Sequence, residues 1–149
     1  MTTATTTTAG AAATAPAAAG EAPAAALVRR GYDAFAAGDI PAALEVFHPD
    51  IRWHVPGRSP LSGDYRGHAG VLDFFGRCLD LSAGTLRVVP NEILTSGERV
   101  VALTTVSAQR HGRLWSSPEV QVWRVADGRA VEFIEYQGDQ QTEDEFWMA

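Results

Sequence analysis

Glu135 and His54 are the side chains of this sequence best suited to move protons. Glu135 stands two positions after Phe133 in the alternating segment 131–137, and His54 lies near the end of the alternating segment 51–55. A carboxyl group among apolar side chains has a raised pKa and serves as a general acid or base near neutral pH. Histidine exchanges protons there without a large pKa shift. We therefore expect both residues to be catalytic. The alternatives are a solvated or arginine-paired glutamate, and a structural histidine bonded to a loop carbonyl.

Other polar and aromatic side chains suit the binding of an apolar molecule. Tyr32 can donate a hydrogen bond to an oxyanion, which makes it the third expected catalytic residue. Gln121 can bind a substrate carbonyl without a change of charge. Aromatic rings hold apolar ligands and stabilise cations, although core packing is the simpler interpretation of Trp53. Arg58 either binds a substrate carboxylate or is a solvated loop residue. The expected substrate-binding residues are Trp53, Gln121, Trp123, Phe133, Phe75, Arg58 and Tyr65.

Composition and spacing argue against metals, cofactors, nucleic acids and membranes. The four histidines lack the spacing of a ligand set, and the glycines form no phosphate-binding fingerprint, so we expect no metal and no cofactor. The twelve basic residues, all arginine, form no stripe that could follow phosphates, and the net charge is −6. No apolar run approaches the length of a membrane span. A single cysteine, Cys78, excludes a disulfide within the chain and is typical of a reducing cytoplasm.

The chain divides into a low-complexity start and one domain. Residues 1–24 are almost exclusively Thr, Ala, Pro and Gly, which predicts a disordered tail. A cleavable leader is the weaker alternative, because the segment lacks a basic start and a Leu- or Val-rich middle. Residues 25–149 are enough for one hydrophobic core and too few for two.

Apolar periodicity predicts three helices in the first half of this domain. Val28, Tyr32 and Phe35 share one face of the first helix. Asp39 is the expected N-cap of a second, shorter helix. A third helix is expected at residues 68–81. Its expected buried stripe consists of Leu72, Phe75 and Leu79.

The rest of the domain has the pattern of a sheet. A first short strand at 51–55 is followed by a loop-like stretch at 56–67. Four longer strands are expected at residues 85–95, 99–110, 114–125 and 130–137. Ser-Gly, His-Gly and Asp-Gly pairs mark tight turns between them, so the strands form an antiparallel meander. Helices followed by such a meander give an α+β fold with the helices on one sheet face. The acidic end of the chain, with Phe146 and Trp147, is either a helix over this sheet or a frayed tail.

Four local signatures carry a resemblance to a known superfamily. They are YDAFAAGD at 32–39, FHPDIRWHVPG at 47–57, YRG at 65–67 and VEFIEYQGD at 131–139. In this order they resemble the SnoaL-like, ketosteroid-isomerase-like (NTF2-like) superfamily, from about residue 27 to the end. The resemblance implies a cone-shaped, strongly curved, mostly antiparallel sheet closed by three N-terminal helices, an α+β barrel. It also implies a homodimer formed through the sheet.

The same resemblance implies which strand faces line a pocket, and which chemistry is missing from it. The pocket-facing residues so implied are Glu119, Gln121, Trp123, Phe133 and Glu135. Ketosteroid isomerases place a carboxylate base, a second acid and a tyrosine at positions where this sequence has Val55, Gln121 and Phe75. Steroid isomerisation is therefore not expected, and the cyclase-like branch of the superfamily is the nearer one.

We expect a small-molecule enzyme of bacterial secondary metabolism. It would be a cyclase or isomerase that acts on a polyketide- or terpenoid-like substrate in an apolar pocket, through acid–base chemistry and control of substrate shape. The superfamily also contains non-catalytic ligand-binding or dimerisation modules, epoxide hydrolases and dehydratases, and these remain alternatives. A cavity with a polar cluster at its centre favours the enzyme, whereas a filled core favours a structural module.

Overall fold

The computed structural model describes residues 20–149, so most of the expected tail lies outside the described residues. The helices of this part of the chain are α1 (Pro23–Ala36), α2 (Ile40–Val46), α3 (Gly67–Ser82) and α4 (Gln140–Met148). The strands are β1 (Phe47–Val55), β2 (Gly63–Arg66), β3 (Arg87–Ser96), β4 (Arg99–Arg110), β5 (Arg113–Ala126) and β6 (Arg129–Gln137). No helix among residues 20–149 is long and apolar enough to cross a lipid bilayer.

The strands form one strongly curved sheet in the order β2-β1-β6-β5-β4-β3. Neighbouring strands are antiparallel except for β1 and β6, which run parallel. The sheet does not close on itself, because β2 and β3 are its two edges. Helices α1 and α3 pack on the sheet and enclose a space between the two layers. This arrangement confirms the predicted α+β cone with a mostly antiparallel sheet.

The hairpin of β1 and β2 differs from the sequence prediction. β1 begins at Phe47 rather than near Ile51, and the stretch expected as a loop contains β2. Trp53 of β1 is the direct partner of Tyr65 of β2. The glycine, proline and serine content of this stretch is typical of a loop. A short strand forms there because β1 offers an open edge for pairing. Local composition cannot predict such a strand, because strand formation depends on the partner.

Helix α3 buries a different stripe from the one predicted. Val71 and Phe74 are buried, whereas Leu72 and Leu79 are 43% and 60% exposed. The two stripes both have helical spacing and differ by a rotation of one residue, about 100°. Phe74 packs on Trp53 with ring centroids 5.8 Å apart. This contact with the sheet selects the rotation, which the apolar pattern of the helix alone leaves undecided.

The acidic end of the chain is a helix, as one of the two alternatives predicts. Asp139 caps α4 by accepting a hydrogen bond from the Thr142 N–H at 3.0 Å. Phe146 and Trp147 are buried, and the Phe146 ring stacks on Trp115 of β5 with centroids 5.4 Å apart. α4 is therefore packed on β5, beside the space that the sheet and the other helices enclose.

The rotation of α3 can be tested with two neighbouring alanine substitutions. Val71→Ala removes two buried methyl groups and should lower the free energy of unfolding by about 2 kcal/mol, through lost burial and the cavity left behind. Leu72→Ala removes a larger side chain that is 43% exposed and should cost less than about 1 kcal/mol. Urea denaturation of both variants measures the difference. A larger loss in Leu72→Ala would mean that α3 buries the leucine stripe instead.

Candidate functional site

A cavity of about 80 Å³ lies between the sheet and the helices. This is well above the roughly 10–15 Å³ that one buried water requires, so the interior has room for a ligand. Ten of its 21 lining residues are aromatic. The aromatic lining residues are Tyr32, Phe35, Phe47, Trp53, Phe74, Phe75, Trp115, Trp123, Phe133 and Trp147. The cone therefore contains a real cavity rather than a filled core.

The apolar floor of the cavity is one row of side chains across three adjacent strands. Trp123 of β5 is the direct partner of Phe133 on β6, which in turn is the direct partner of Trp53 on β1. Trp53 stacks on Phe133 with ring centroids 3.8 Å apart, and Trp123 meets Trp53 edge to face at 5.5 Å. Phe75 of α3 completes the contact from the helical side. All four residues belong to the substrate-binding set expected from the sequence.

The polar part of the cavity lies on β5 and β6, next to the aromatic row. Gln121 lies opposite Glu135, and Glu119 lies opposite Gln137, two and four residues from the aromatic row. Because alternate residues of a strand share a face, these side chains point to the same side of the sheet as Trp123. Glu119, Gln121 and Glu135 are buried and line the cavity. The face assignment implied by the resemblance therefore agrees with the structure.

Tyr32 connects the aromatic and polar parts of the cavity. Its hydroxyl accepts a hydrogen bond from Trp123 Nε1 at 3.0 Å and donates one to Gln121 Oε1 at 2.6 Å. Gln121 Nε2 then donates to Glu119 Oε2 at 2.8 Å. Burial raises the pKa of Tyr32 far above its ordinary value, so the phenol is neutral. The single hydroxyl proton of Tyr32 is already donated to Gln121. Tyr32 is therefore placed to position Gln121 and not to donate a hydrogen bond to a substrate oxyanion.

Gln137 links two of the carboxyl groups. Its Nε2 donates to an oxygen of Glu119 and to Glu135 Oε2, the second at 2.9 Å. Glu119 thus accepts amide hydrogen bonds on both oxygens, one from Gln121 and one from Gln137. Sequence analysis gave Gln137 no role, because a bridging amide becomes visible only with the strand register.

A third carboxyl group enters the cavity from α4. Oxygens of Glu143, Glu119 and Glu135 all lie within 4.8 Å of one another. The sequence prediction missed this group, because Glu143 stands in an acidic terminal segment that has no strand pattern. The only signal was the burial-prone Phe146-Trp147 pair beyond it, which indicates that the segment docks. Three carboxylates at this spacing are also the residues that could hold a cation, a possibility that histidine spacing alone does not reveal.

The loop after β1 holds α4 against the cavity. The Arg58 N–H donates to Asp144 Oδ2 at 3.1 Å, and Gln140 Nε2 donates to Glu143 Oε2 at 3.0 Å. Gly57 has a positive φ of 97°, and a Cβ at this position would overlap the side chains of Asp144 and Gln140. The positive φ favours glycine at this position, because L side chains rarely adopt it.

Burial raises the pKa of all three carboxyl groups. Desolvation is the largest cause for Glu135, whose pKa lies well above its ordinary value, and the charges of Glu119 and Glu143 add to it. Desolvation also raises the pKa of Glu119, opposed by the hydrogen bonds from the two glutamine amides. The pKa of Glu143 rises to about 8, first through desolvation and then through the charge of Glu119. The cluster therefore retains protons near neutral pH.

Three expected site residues lie away from the cavity. His54 points away from this cavity: its side chain is 48% exposed, and Nδ1 lies 2.6 Å from Asp64 Oδ1 on the outer sheet face. Strand alternation requires this once Trp53 faces inward. Arg58 is exposed and contributes its backbone, and Tyr65 is buried but donates its hydroxyl to the Leu61 carbonyl. Neither side chain lines this cavity, and catalysis by His54 and substrate binding by Arg58 or Tyr65 stay predictions.

Comparison with known proteins identifies the family. The SnoaL-like domain family matches residues 28–133, and the chain belongs to this family. An uncharacterized protein of Mycobacterium tuberculosis is 32% identical over 122 residues, which cover 81% of this chain and 93% of that protein. The fold is thus that of the SnoaL-like, NTF2-like superfamily.

Solved structures share the whole domain. Bal32a, from a soil-derived mobile gene cassette, is 34% identical with a TM-score of 0.81, covering 84% of this chain and 96% of that one. TerC, co-crystallized with polyporic acid, is 26% identical with a TM-score of 0.78, covering 86% and 100%. A candidate polyketide cyclase of Xanthomonas campestris is 22% identical with a TM-score of 0.67, covering 85% and 97%, and shares the fold.

The protonated carboxyl cluster predicts that stability falls as pH rises. The pKa of Glu143 is about 8 in the folded chain against 4.5 for a free side chain, so the folded state holds the extra proton between these values. The free energy of unfolding should therefore decrease from pH 5 to pH 8. Glu143→Gln should make this decrease shallower, whereas Glu145→Gln, on the exposed side of the same helix, should not. Urea denaturation at several pH values measures both slopes. Equal slopes in the two variants would mean that Glu143 is ionised in the folded protein.

Proposed function

We propose that the protein is an enzyme of bacterial secondary metabolism, a cyclase or isomerase that transfers protons on a polyketide- or terpenoid-like substrate. One observation carries the proposal: a set of protonatable carboxyl groups, ordered by amide hydrogen bonds, lies at one end of an aromatic cavity. A purely structural module gains nothing from burying such groups, since each costs desolvation free energy. Family membership and the candidate polyketide cyclases of the same fold support the enzyme class.

Glu135 acts as the general acid in this proposal, and Glu119 as the base. The two carboxyl groups share the Gln137 amide, but only Glu119 accepts hydrogen bonds on both oxygens, which favours its ionised form. Such a difference between neighbouring carboxyl groups separates an acid from a base. Glu119 takes a proton from a substrate carbon while Glu135 protonates a substrate carbonyl oxygen. In an isomerase, the protonated Glu119 then delivers its proton to a different carbon of the enol, and the enol hydroxyl returns its proton to Glu135. In a cyclase, the enol carbon attacks a second carbonyl of the same substrate, whose oxygen takes the proton from Glu119 while the enol hydroxyl returns its proton to Glu135.

The remaining side chains serve orientation. Trp53, Trp123 and Phe133 hold the hydrocarbon part of the substrate by shape, which restricts it to reactive conformers. Tyr32 and Gln121 keep Glu119 in place. The epoxide-hydrolase alternative gains no support, because no arginine of residues 20–149 lines the cavity.

Proton transfer by Glu135 can be tested with 2-tetralone, an apolar ketone with acidic α-protons. The enzyme should accelerate exchange of these protons in D₂O, followed by proton NMR. Glu135→Gln should reduce the exchange rate by at least ~100-fold, in the range expected for a lost general acid. The matched control is Glu132→Gln, on the outer face of the same strand, where Glu132 pairs with Arg52 at 3.4 Å. Glu132→Gln should exchange at the rate of the unmodified protein.

Two results would contradict the proposal. Unchanged exchange in Glu135→Gln would remove this residue from the mechanism. Absence of exchange in the unmodified protein, together with absence of turnover for a panel of polyketide and terpenoid precursors, would favour the non-catalytic ligand-binding module.

We further propose that the protein is a homodimer formed through the outer face of the sheet. Val120 lies in register between Leu103 and Tyr136, and Leu94 lies beside Val101 in the neighbouring row. Val120, Leu94 and Tyr136 are 37%, 47% and 54% exposed. Exposed apolar rows of this kind mark association surfaces. A second copy of the chain would bury both rows at once, because a twofold interface uses the same patch on each chain.

The dimer can be tested with one charge in the middle of this face. Val120→Lys should shift the mass measured by light scattering from dimer to monomer, since a lysine at the centre of an apolar contact is desolvated. Leu79→Lys, on the exposed side of α3, is the control and should remain dimeric. A monomeric unmodified protein would rule the dimer out.

The setting that we infer is the cytoplasm, without nucleic-acid or membrane partners. Cys78, the one cysteine of the chain, is buried and unpaired, which supports a reducing compartment. Several arginines are paired with carboxylates, as Arg29 is with Glu21 at 2.9 Å, so they do not form a free basic surface.

A further inference from the structure

The polar end of the cavity carries acidic groups that no basic side chain balances. Glu119 comes from β5, Glu135 from β6 and Glu143 from α4. The other titratable groups that line the cavity are Tyr32 of α1 and Cys78 of α3, and burial raises the pKa of each. The lining residues contributed by β1, β3 and β4 are apolar. Within residues 20–149, no arginine or histidine lines this cavity.

Glu135 retains an oxygen that can bind a ligand. Its side chain is only 6% exposed, and its Oε2 accepts from Gln137, but its Oε1 accepts no hydrogen bond from the described part of the chain. By contrast, both oxygens of Glu119 are occupied. Glu135 lines the cavity, so this oxygen is open to a hydrogen bond from a donor on the ligand.

The walls next to this oxygen suit a positive charge. Trp53, Trp123 and Phe133 lie within one row, with neighbouring ring centroids between 3.8 and 5.5 Å apart. Aromatic faces, and indole faces most of all, attract cations, and desolvation strengthens this attraction. Carboxyl groups at one end and indole rings beside them are the two elements that recognise an organic ammonium group. An anionic ligand would meet like charge here and no counter-charge.

We propose that the ligand of this cavity is an apolar amine whose protonated nitrogen lies among the carboxyl groups of Glu119, Glu135 and Glu143, with its hydrocarbon part against the aromatic row. The inference rests on the proposed function and narrows its substrate class to nitrogen-bearing molecules. A metal ion fits less well, because calcium and magnesium require six or more oxygen ligands and the rest of the lining is mainly aromatic and apolar.

Binding of an amine releases protons from the site. Glu135 and Glu143 are protonated near neutral pH in the free protein, and a bound ammonium group favours their ionised forms. An alkylamine keeps its charge up to about pH 10. The affinity for the amine therefore increases between pH 5 and pH 8. A neutral ligand of the same shape releases no proton, so its affinity does not show this increase.

Three small ligands of similar shape test the proposal by isothermal titration calorimetry. They are 2-phenylethylamine, 2-phenylethanol and 3-phenylpropionate, which differ in charge. At pH 7 the amine should bind at least ~10-fold tighter than the alcohol, the smallest difference that one favourable ionic contact gives. The carboxylate should bind most weakly. Proton release should make the heat of amine binding depend on the ionisation enthalpy of the buffer.

Matched variants localise the effect. Glu135→Gln should remove at least a tenfold preference for the amine and leave the affinity for the alcohol unchanged. Glu132→Gln, on the opposite face of β6, should retain the preference. Glu143→Gln, on a separate element, gives a second test if Glu135→Gln does not fold. Equal binding of amine and alcohol, or a preference that survives in both cavity variants, would overturn the proposal. So would displacement of the amine by micromolar Mn²⁺, which would make the cation a metal.

The amine-binding experiments and the test for proton transfer can fail independently of each other. Tetralone exchange without any amine preference would leave the enzyme proposal standing and remove the amine. An amine preference that depends on Glu135, without proton exchange or turnover, would instead define an amine-binding module.

Discussion

Burial of three carboxyl groups without a basic partner is the constraint on which this site depends. An ionised carboxylate in an apolar interior is very costly, and a protein avoids this cost by neutralising the group or by surrounding it with hydrogen-bond donors. Both solutions are present here. Glu119 receives donors on both oxygens, whereas desolvation keeps Glu135 and Glu143 in their protonated forms. The first group and the other two therefore differ in how the protein offsets the cost of their burial.

Strand register converts this constraint into a defined geometry. Residues 119, 121 and 123 of β5 lie opposite residues 137, 135 and 133 of β6, and all six side chains share the inner face. A slip of one residue would expose the carboxyl groups to solvent and turn the alternate, less polar set inward. The aromatic row at one end and the amide bridge at the other are thus consequences of a single pairing. Tyr32 crosses from α1 to this pair of strands and ties the helical layer to the same register.

Periodicity and turn signals predict the elements of this fold well, because those signals are local. The N-cap at Asp39 and the four long strands agree with the structure to within about two residues. Faces are harder to predict. His54 and Trp53 alternate in β1, and only the packing of Trp53 on β6 decides that the histidine faces outward. The third carboxyl group is harder still, since Glu143 reaches the cavity through a helix that is bonded to the backbone of Arg58 in a distant loop.

The family sets the cone, but the chemistry of its interior depends on positions that come from separate elements. Val55 and Phe75 line the cavity with apolar groups, while Glu119 and Glu135 supply carboxyl groups on neighbouring strands. α4 then contributes one more acid from outside the sheet, held by a backbone contact to the loop after β1. Because each element contributes independently, a relative that changes only its terminal helix would keep the cone and lose one charge from the cluster. Overall resemblance therefore fixes the shape of this cavity more strongly than the ligand it selects, and selectivity must be read from the three carboxyl groups themselves.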